Sequence, residues 1–223
     1  ELSRKYKNVS KGDILEQMYE GVAIYGDAGH ALQYVETQTR LASFLQGFQG
    51  GAHGHRSKEW QREVFAAIKS MEMYGILNEH DEVKKAKDIE DYAGSMMAMK
   101  ALYGDQAKIS EYLTTQRRSG MSFYRFGENF RLNVLPALVQ EAGGATTGQQ
   151  AMTAYQTIAG GTILRKGTQI PMLRKYGLYD QKTGRFKQDF IDKFVDDPTV
   201  AAADLIERAE KLYGKNDPKL IDK

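Results

Sequence analysis

Histidines and acidic residues are the first candidates for chemistry in this chain, because both can bind metals. His53 and His55 stand two residues apart in the glycine-rich run GGAHGH. Zinc takes three or four ligands, and this run offers neither cysteine nor a carboxylate cluster. The run NEHDE at residues 78–82 lacks the H-E-x-x-H spacing of a metalloprotease helix. We therefore expect no metal ion and no cofactor, a solvated loop at residues 52–55, and a charged turn at residues 78–82.

Two further patterns could bind phosphate groups. GGATTG at residues 143–148 resembles a phosphate-binding loop, but it lacks the Gly-Lys-Ser/Thr ending and a preceding strand. It is better interpreted as the end of one helix followed by the cap of the next. Arg117-Arg118 and Arg165-Lys166 are two-residue basic steps without interleaved aromatic residues, which is a weak signal for a nucleic-acid groove.

Carboxylates could serve as the acid and base of a glycoside hydrolase, and Glu16, Glu20 and Glu141 are candidates for such a pair. Nothing in their linear spacing places two of them in one cleft. We therefore expect most of them to be solvated residues on helix faces. The sequence assigns no catalytic residue and predicts that the chain is not an enzyme.

The composition is that of an ordinary globular protein with a core. Of the 223 residues, 41% are hydrophobic and 27% are charged. The 31 Lys and Arg oppose 29 Asp and Glu, and the net charge of +2 is too balanced and dispersed to predict a nucleic-acid or anionic-membrane surface. No apolar run approaches the roughly 18 to 20 residues that span a bilayer. The absence of cysteine suits a reducing cytoplasm, and the start at Glu1 suggests an excerpt of a longer chain.

A Tyr-Gly step recurs along the chain, and four of its five copies follow an amphipathic run. The steps lie at residues 25–26, 74–75, 103–104, 176–177 and 213–214. Glycine reaches a left-handed backbone at little cost and is favoured just past a helix end. We expect each tyrosine to bury its ring in the last helical turn and each glycine to supply the bend that ends the helix.

Helix starts are marked by residues that cap exposed backbone N–H groups. Ser10 with Asp13 has the capping-box spacing, and Asp197-Pro198 places proline at the first helical position. A third helix is predicted behind a Ser57 cap, and a fourth is predicted to open at Asp88.

Two Gly-Gly pairs, Gly143-Gly144 and Gly160-Gly161, bracket one compact amphipathic segment. Thr147 and Gln150 have capping-box spacing, so a helix of about three turns is predicted from Thr147 to Gly160. If Gly144 or Gly160 adopts a positive φ, alanine there should destabilise the fold by about 1 kcal/mol or more.

No alternating β-branched run of four to eight residues occurs, and short pieces such as residues 162–164 are better interpreted as connections. The fold class is therefore predicted to be all-α, an irregular bundle of roughly eight helices that forms one domain over residues 1–213. Residues 214–223 are predicted to be a polar linker or tail. Pro136 would cost about 3 kcal/mol inside a continuous helix, so the helix there is either kinked or restarts near Asn133.

One set of residues occurs in order between residue 130 and residue 179: Leu135-Pro136, Leu138, Gln140-Glu141, Gly143-Gly144, Gly148, Tyr155, Gly160-Gly161, Leu173 and Gly177-Leu178. With this arrangement the region resembles a helical region of bacteriophage and prophage tail tape measure proteins. The upstream runs YEGVAIYGDAGHALQYVETQTRLASFL and QREVFAAIKSMEMYGIL also look like paired helices of that family, so the resemblance covers about residues 10–180.

The resemblance implies a structural role in tail length determination, tail assembly and genome ejection. It implies partners among other phage tail proteins, namely the tail tube, the tail initiator and copies of the chain itself, and a location in the lumen of the virion tail after assembly in the host cytoplasm. Two alternatives stay open at this point. One is a helical domain that degrades peptidoglycan with a glutamic acid such as Glu141, and the other is an unrelated helical interaction module.

Overall fold

The computed structural model describes residues 1–48, 58–161 and 167–214, and it confirms the predicted all-α class. Helices make up 79% of it. Twelve α-helices lie in these ranges, more than the predicted eight, because pieces of four to seven residues are too short to show a periodic pattern. They are α1 (Leu2–Lys5), α2 (Lys11–Tyr25), α3 (Ala28–Phe48), α4 (Lys58–Met73), α5 (Glu82–Tyr103), α6 (Ile109–Ser119), α7 (Met121–Arg125), α8 (Leu135–Ala142), α9 (Gly144–Ile158), α10 (Gln169–Lys175), α11 (Gln188–Asp196) and α12 (Pro198–Tyr213).

The only strands in the described ranges form one small hairpin. The strand β1 (Tyr179–Asp180) pairs antiparallel with β2 (Arg185–Phe186), and Tyr179 lies opposite Phe186. Two residues per strand are too few to give an alternating pattern, which explains why the sequence did not indicate a strand here.

The chain divides into two compact units, each built from two segments. Unit 1 comprises Glu1–Arg117 and Pro136–Ala145, and unit 2 comprises Arg118–Leu135 and Thr146–Lys223. The prediction of one domain over residues 1–213 stays a prediction. Residues 215–223, most of the predicted linker or tail, lie outside the described residues.

Unit 1 has a core made from α2 to α6. It contains the fully buried Tyr92 and Tyr112 and the partly buried Tyr74: the Tyr92 ring is 5.7 Å from the Tyr74 ring and 6.4 Å from the Tyr112 ring, between centroids. The Tyr74 and Tyr112 hydroxyls are 3.1 Å apart and share a hydrogen bond. Burial raises the pKa of Tyr92, which keeps its hydroxyl neutral.

Unit 2 has a core of phenylalanine rings. Phe126 makes edge contacts with Phe130, Tyr155 and Phe194, at centroid distances of 5.3, 5.8 and 5.6 Å. The chain reaches this cluster through a close backbone contact, because the Gly127 N–H donates to the Val195 carbonyl over 2.8 Å. A Cβ on Gly127 would lie 2.3 Å from the Asp196 carbonyl oxygen, so only glycine fits there.

Two of the predicted helix starts are confirmed. Ser10 accepts from the Asp13 N–H over 3.1 Å while Asp13 accepts from the Ser10 N–H over 3.0 Å, which completes the capping box. Asp197 accepts from the Thr199 N–H over 2.9 Å, and Pro198 occupies the first turn of α12.

The prediction that a helix opens at Asp88 is wrong. The helix α5 begins six residues earlier, and Asp81 accepts the N–H groups of Val83 and Lys84 over 2.9 and 3.1 Å. The first turns of α5 are too polar to show an apolar stripe, so the sequence pattern placed the start of the helix too far along the chain. The predicted cap Ser57 lies outside the described residues, as do His53 and His55 of the predicted loop.

The bend at each Tyr-Gly step is confirmed. All five glycines have a positive φ between 64° and 84°, at Gly26, Gly75, Gly104, Gly177 and Gly214. The tyrosine rings were expected to be buried, but Tyr74, Tyr103, Tyr176 and Tyr213 are only partly buried, because the last turn of a helix borders solvent.

The predicted start and end of the helix between the Gly-Gly pairs are corrected. The helix α9 runs from Gly144 to Ile158, so Thr147 lies inside it as a buried residue and does not cap it. The positive φ values occur at Gly143 (78°) and Gly161 (73°), not at Gly144 or Gly160. The reason is that a carboxylate from another helix supplies the cap one turn earlier, as described below.

Pro136 lies in a helix that shows no restart near Asn133, because residues 128–142 are helical throughout. A π-helical turn spans Phe130–Val134 and continues directly into α8 at Leu135, whose N–H donates to the Phe130 carbonyl. This turn changes the hydrogen-bond ladder just before Pro136, and the predicted alternative of a kink at Pro136 stays a prediction.

Candidate functional site

The eight residues singled out from the sequence are divided between the two units. Three belong to unit 1 and five belong to unit 2. Those in unit 1 are Pro136, Gly143 and Gly144, and those in unit 2 are Gly148, Tyr155, Gly160, Gly161 and Gly177.

Gly144 permits a backbone contact with α6 within unit 1. Its N–H donates to the Glu111 carboxylate over 2.8 Å, and the Thr115 hydroxyl donates to its carbonyl over 3.1 Å. A Cβ at this position would lie 2.1 Å from the Glu111 carbonyl oxygen. Glu111 therefore caps α9 from another helix, and glycine is required because the two backbones touch.

A similar contact recurs four residues later on both helices, within unit 2. The Ser119 hydroxyl donates to the Gly148 carbonyl over 3.3 Å. Small residues spaced by four on two helices allow their backbones to approach closely. The pairs Gly144 and Gly148 on α9 and Thr115 and Ser119 on α6 are a signal that sequence reasoning could have used.

Gly177 ends α10 in a Schellman motif. Its N–H donates to the Arg174 carbonyl over 3.0 Å, and the Leu178 N–H donates to the Leu173 carbonyl over 2.8 Å. Leu173 and Leu178 are both buried, which supplies the apolar contact that usually accompanies this motif. Gly161 lies against the guanidinium group of Arg185, whose carbon would be 2.7 Å from a Cβ there.

Glu63 on α4 is a buried carboxylate of unit 1 that lies at the start of another helix. Its carboxylate accepts the N–H groups of Ile109 and Ser110 at the start of α6, and the Ser110 hydroxyl over 2.7 Å. Lys100 Nζ lies 4.0 Å away, and both side chains are at most 7% exposed. Because Glu63 stands inside an amphipathic helix, its spacing gave no hint of this role.

One surface of unit 1 exposes apolar side chains to solvent. Leu15, Tyr19 and Val22 of α2 are 64%, 84% and 37% exposed, and their spacing of four and three residues puts them on one side of the helix. Glu16 and Glu20 are exposed beside them. We call these five residues the α2 face.

The electrostatics of the α2 face favour a cationic neighbour. Desolvation by surrounding atoms raises the pKa of Glu20 above its ordinary value. A cation brought close to this carboxylate would stabilise its charged form. The arrangement is therefore complementary to a helix that has its own apolar stripe and a Lys- or Arg-bearing edge.

The other carboxylate considered for catalysis, Glu141, is exposed near the end of α8. Among the described residues, no group of three or more His, Cys, Asp or Glu side chains is placed to hold a metal ion. Within the same ranges, no helix is both long enough and apolar enough to cross a bilayer.

No protein-family model matches the sequence, no curated protein matches it, and no solved structure matches the fold.

Proposed function

We propose that this chain is a structural and assembly module of a bacteriophage tail tape measure protein, with a role in tail length determination, tail assembly and genome ejection. The observation that carries the proposal is the pattern of residues 130–179. Gly143, Gly144, Gly161 and Gly177 belong to that pattern, and each stands where the backbone needs glycine. The resemblance therefore rests on positions with a physical reason to be kept.

The α2 face supports a role through contact with another protein. Its occupant, in this proposal, is a helix of another tail protein whose apolar stripe is flanked by Lys or Arg. The acidic edge at Glu16 and Glu20 and the charge balance of unit 1, with 15 Lys and Arg against 18 Asp and Glu, both favour a basic partner. Candidate partners are the tail tube, the tail initiator and further copies of the chain.

The test is an in-frame deletion of residues 1–213 from the parent gene in its phage or prophage. We expect tails that are absent or abnormal in length by electron microscopy, and a large fall in infectious titre. Supplying the intact gene in trans is the control and should restore both. Normal tails together with normal titre would contradict the proposal.

A further inference from the structure

The near-zero charge of the whole chain conceals a difference between its two units. Unit 1 has 15 Lys and Arg against 18 Asp and Glu, a net charge of −3. Unit 2 has 16 against 11, a net charge of +5. The charges are therefore less dispersed than the sequence total suggests.

Much of the positive charge of unit 2 is concentrated in residues 174–187. This segment, which we call the basic hairpin, holds five cationic side chains and one carboxylate, that of Asp180. All five cations are exposed. They are Arg174, Lys175, Lys182, Arg185 and Lys187.

Local structure holds the basic hairpin in a fixed shape. The Schellman motif at Gly177 turns the chain from α10 into β1, and the Lys187 N–H donates to the Leu178 carbonyl over 2.8 Å after β2. The guanidinium of Arg174 lies 5.1 Å from the centre of the Tyr179 ring. These contacts hold the backbone that carries the cations, and they place the guanidinium of Arg174.

Within the described residues, the cations of the basic hairpin differ from three cations of α11 and α12, which have carboxylate partners. Lys193 and Arg208 both pair with Asp204, at 3.3 and 2.8 Å, and Lys211 pairs with Glu207 at 2.6 Å. Within the described ranges, no carboxylate lies within ion-pair distance of a cation of the basic hairpin.

The single carboxylate of the basic hairpin, that of Asp180, accepts hydrogen bonds within the turn between β1 and β2. Asp180 accepts the Lys182 N–H and the Thr183 hydroxyl, each over 2.9 Å. These hydrogen bonds hold the pKa of Asp180 below its ordinary value. Two carboxylates that follow on α11 also accept local hydrogen bonds, Asp189 from the Phe190 N–H and Asp192 from the Gln188 amide.

We propose that the basic hairpin binds the phosphate backbone of double-stranded nucleic acid without reading its sequence. Duplex DNA carries one negative charge per about 1.7 Å of helix axis, and cations that replace its counterions gain affinity from their release. The hairpin is a two-stranded ribbon, a shape that the major groove admits.

Base stacking is not the mode of contact in this proposal, because two of the three rings of the basic hairpin are occupied and the third, that of Tyr176, is partly buried. Tyr179 is covered by Arg174, and Phe186 stacks on Phe190 with ring centroids 5.7 Å apart. Single-stranded binding proteins instead offer aromatic rings to successive bases. The contacts available here are charge contacts to phosphate groups.

The experiment is fluorescence anisotropy of the whole chain with a labelled DNA duplex of mixed sequence, over a range of salt concentrations. We expect a dissociation constant on the order of 10⁻⁶ to 10⁻⁴ M near physiological salt, and a slope of log K against log salt of about −4 for four to five phosphate contacts. The double variant Lys182→Gln/Lys187→Gln should weaken binding at least about tenfold and make the slope shallower by about 2.

Lys182 and Lys187 suit this test because their side chains are exposed, so the melting temperature should not change. The matched control is Lys84→Gln/Lys87→Gln in unit 1, whose side chains are 61% and 70% exposed and paired with Glu79 and Asp91. It should leave both the affinity and the slope unchanged. No binding at low salt, or equal losses in the two double variants, would overturn the proposal. Binding to anionic vesicles or polyglutamate but not to the duplex would also overturn it.

Discussion

Unit 1 buries charged side chains where unit 2 buries phenylalanine rings. Among the described residues, the buried charged side chains Glu63, Lys85 and Lys100 all belong to unit 1, which also buries the hydrogen-bonded pair Ser70 and Gln116. In the described part of unit 2, the buried polar residues are Ser119, Ser122 and Thr147.

The two cores should therefore fail in different ways. A buried polar cluster is stable only when every member keeps its partner, because an unpaired buried charge is costly. An aromatic core depends on filled volume and ring geometry. Substitutions that remove a partner should injure unit 1 most, and substitutions that change ring shape should injure unit 2 most.

The largest effect is expected for Glu63→Ala in unit 1. It removes the acceptor for the start of α6 and leaves Lys100 buried without its carboxylate, which should cost about 3 to 5 kcal/mol of the free energy of unfolding. Hydrogen exchange read by mass spectrometry, which resolves peptides of each unit, would locate the loss in unit 1.

The control for this prediction is the double variant Glu63→Leu/Lys100→Met. Replacing both members of a buried ion pair with apolar residues is often nearly neutral. The double variant should therefore be clearly more stable than Glu63→Ala. A double variant as unstable as the single one would show that Lys100 is not the partner that matters.

Alanine at the close backbone contacts should cost somewhat less, about 2 to 3 kcal/mol, and equally in both units. Gly144→Ala places a Cβ 2.1 Å from the Glu111 carbonyl oxygen in unit 1, and Gly127→Ala places one 2.3 Å from the Asp196 carbonyl oxygen in unit 2. Thermal unfolding followed by circular dichroism measures both.

The neighbouring Gly143 is a control for these contacts. Its φ is 78° and nothing lies within 4 Å of an added Cβ, so Gly143→Ala should cost only about 1 kcal/mol through backbone strain. Equal losses for Gly143→Ala and Gly144→Ala would remove the argument from close packing.

Phe126→Leu tests the aromatic core of unit 2 and should cost about 2 kcal/mol. Leucine keeps the site apolar but loses three edge contacts between rings. Urea unfolding with hydrogen exchange should place the loss in unit 2 and leave the protection of unit 1 unchanged. Reduced protection confined to unit 1 would contradict this assignment.

The smallest effect is expected on the stability of unit 1 at acidic pH. Hydrogen bonds from Lys84 and from the Asp81 and His80 N–H groups lower the pKa of Glu79 to about 2 from its ordinary 4.5. The unfolded chain therefore takes up the proton first as the pH falls, so this carboxylate stabilises unit 1 above about pH 4.5 and stops doing so as the pH approaches 2. Glu79→Gln should flatten this part of the stability profile slightly. An NMR titration placing the pKa of Glu79 at 4.5 would contradict the prediction.

Local signals were enough to predict the fold class and several helix ends. Some helix ends depend on residues at most three positions apart, so the local sequence is enough to predict them. They are the Ser10 capping box, the Asp197-Pro198 start and the Tyr-Gly bends.

Helix caps supplied by a residue of another helix could not be predicted from the local sequence. The helix α9 starts at Gly144 and not at Thr147 because Glu111, 33 residues away, supplies its cap. Glu63 caps α6 from 46 residues away. Val22 also fits the apolar spacing of Ile14 and Met18 on α2, but it is 37% exposed.

The most direct test of the account is whether the α2 face of unit 1 is needed for tail assembly through contact with another protein. In the parent gene, Leu15→Ser/Tyr19→Ser/Val22→Ser removes the apolar part of the α2 face, and Val83→Ser/Leu102→Ser removes apolar residues on α5 that are 82% and 77% exposed. Both purified chains should keep the melting temperature of the original. The measurement is the fraction of particles with complete tails, counted by electron microscopy. The account predicts a large loss for the α2 triple variant and none for the α5 double variant, whereas equal tail counts in the two would contradict it.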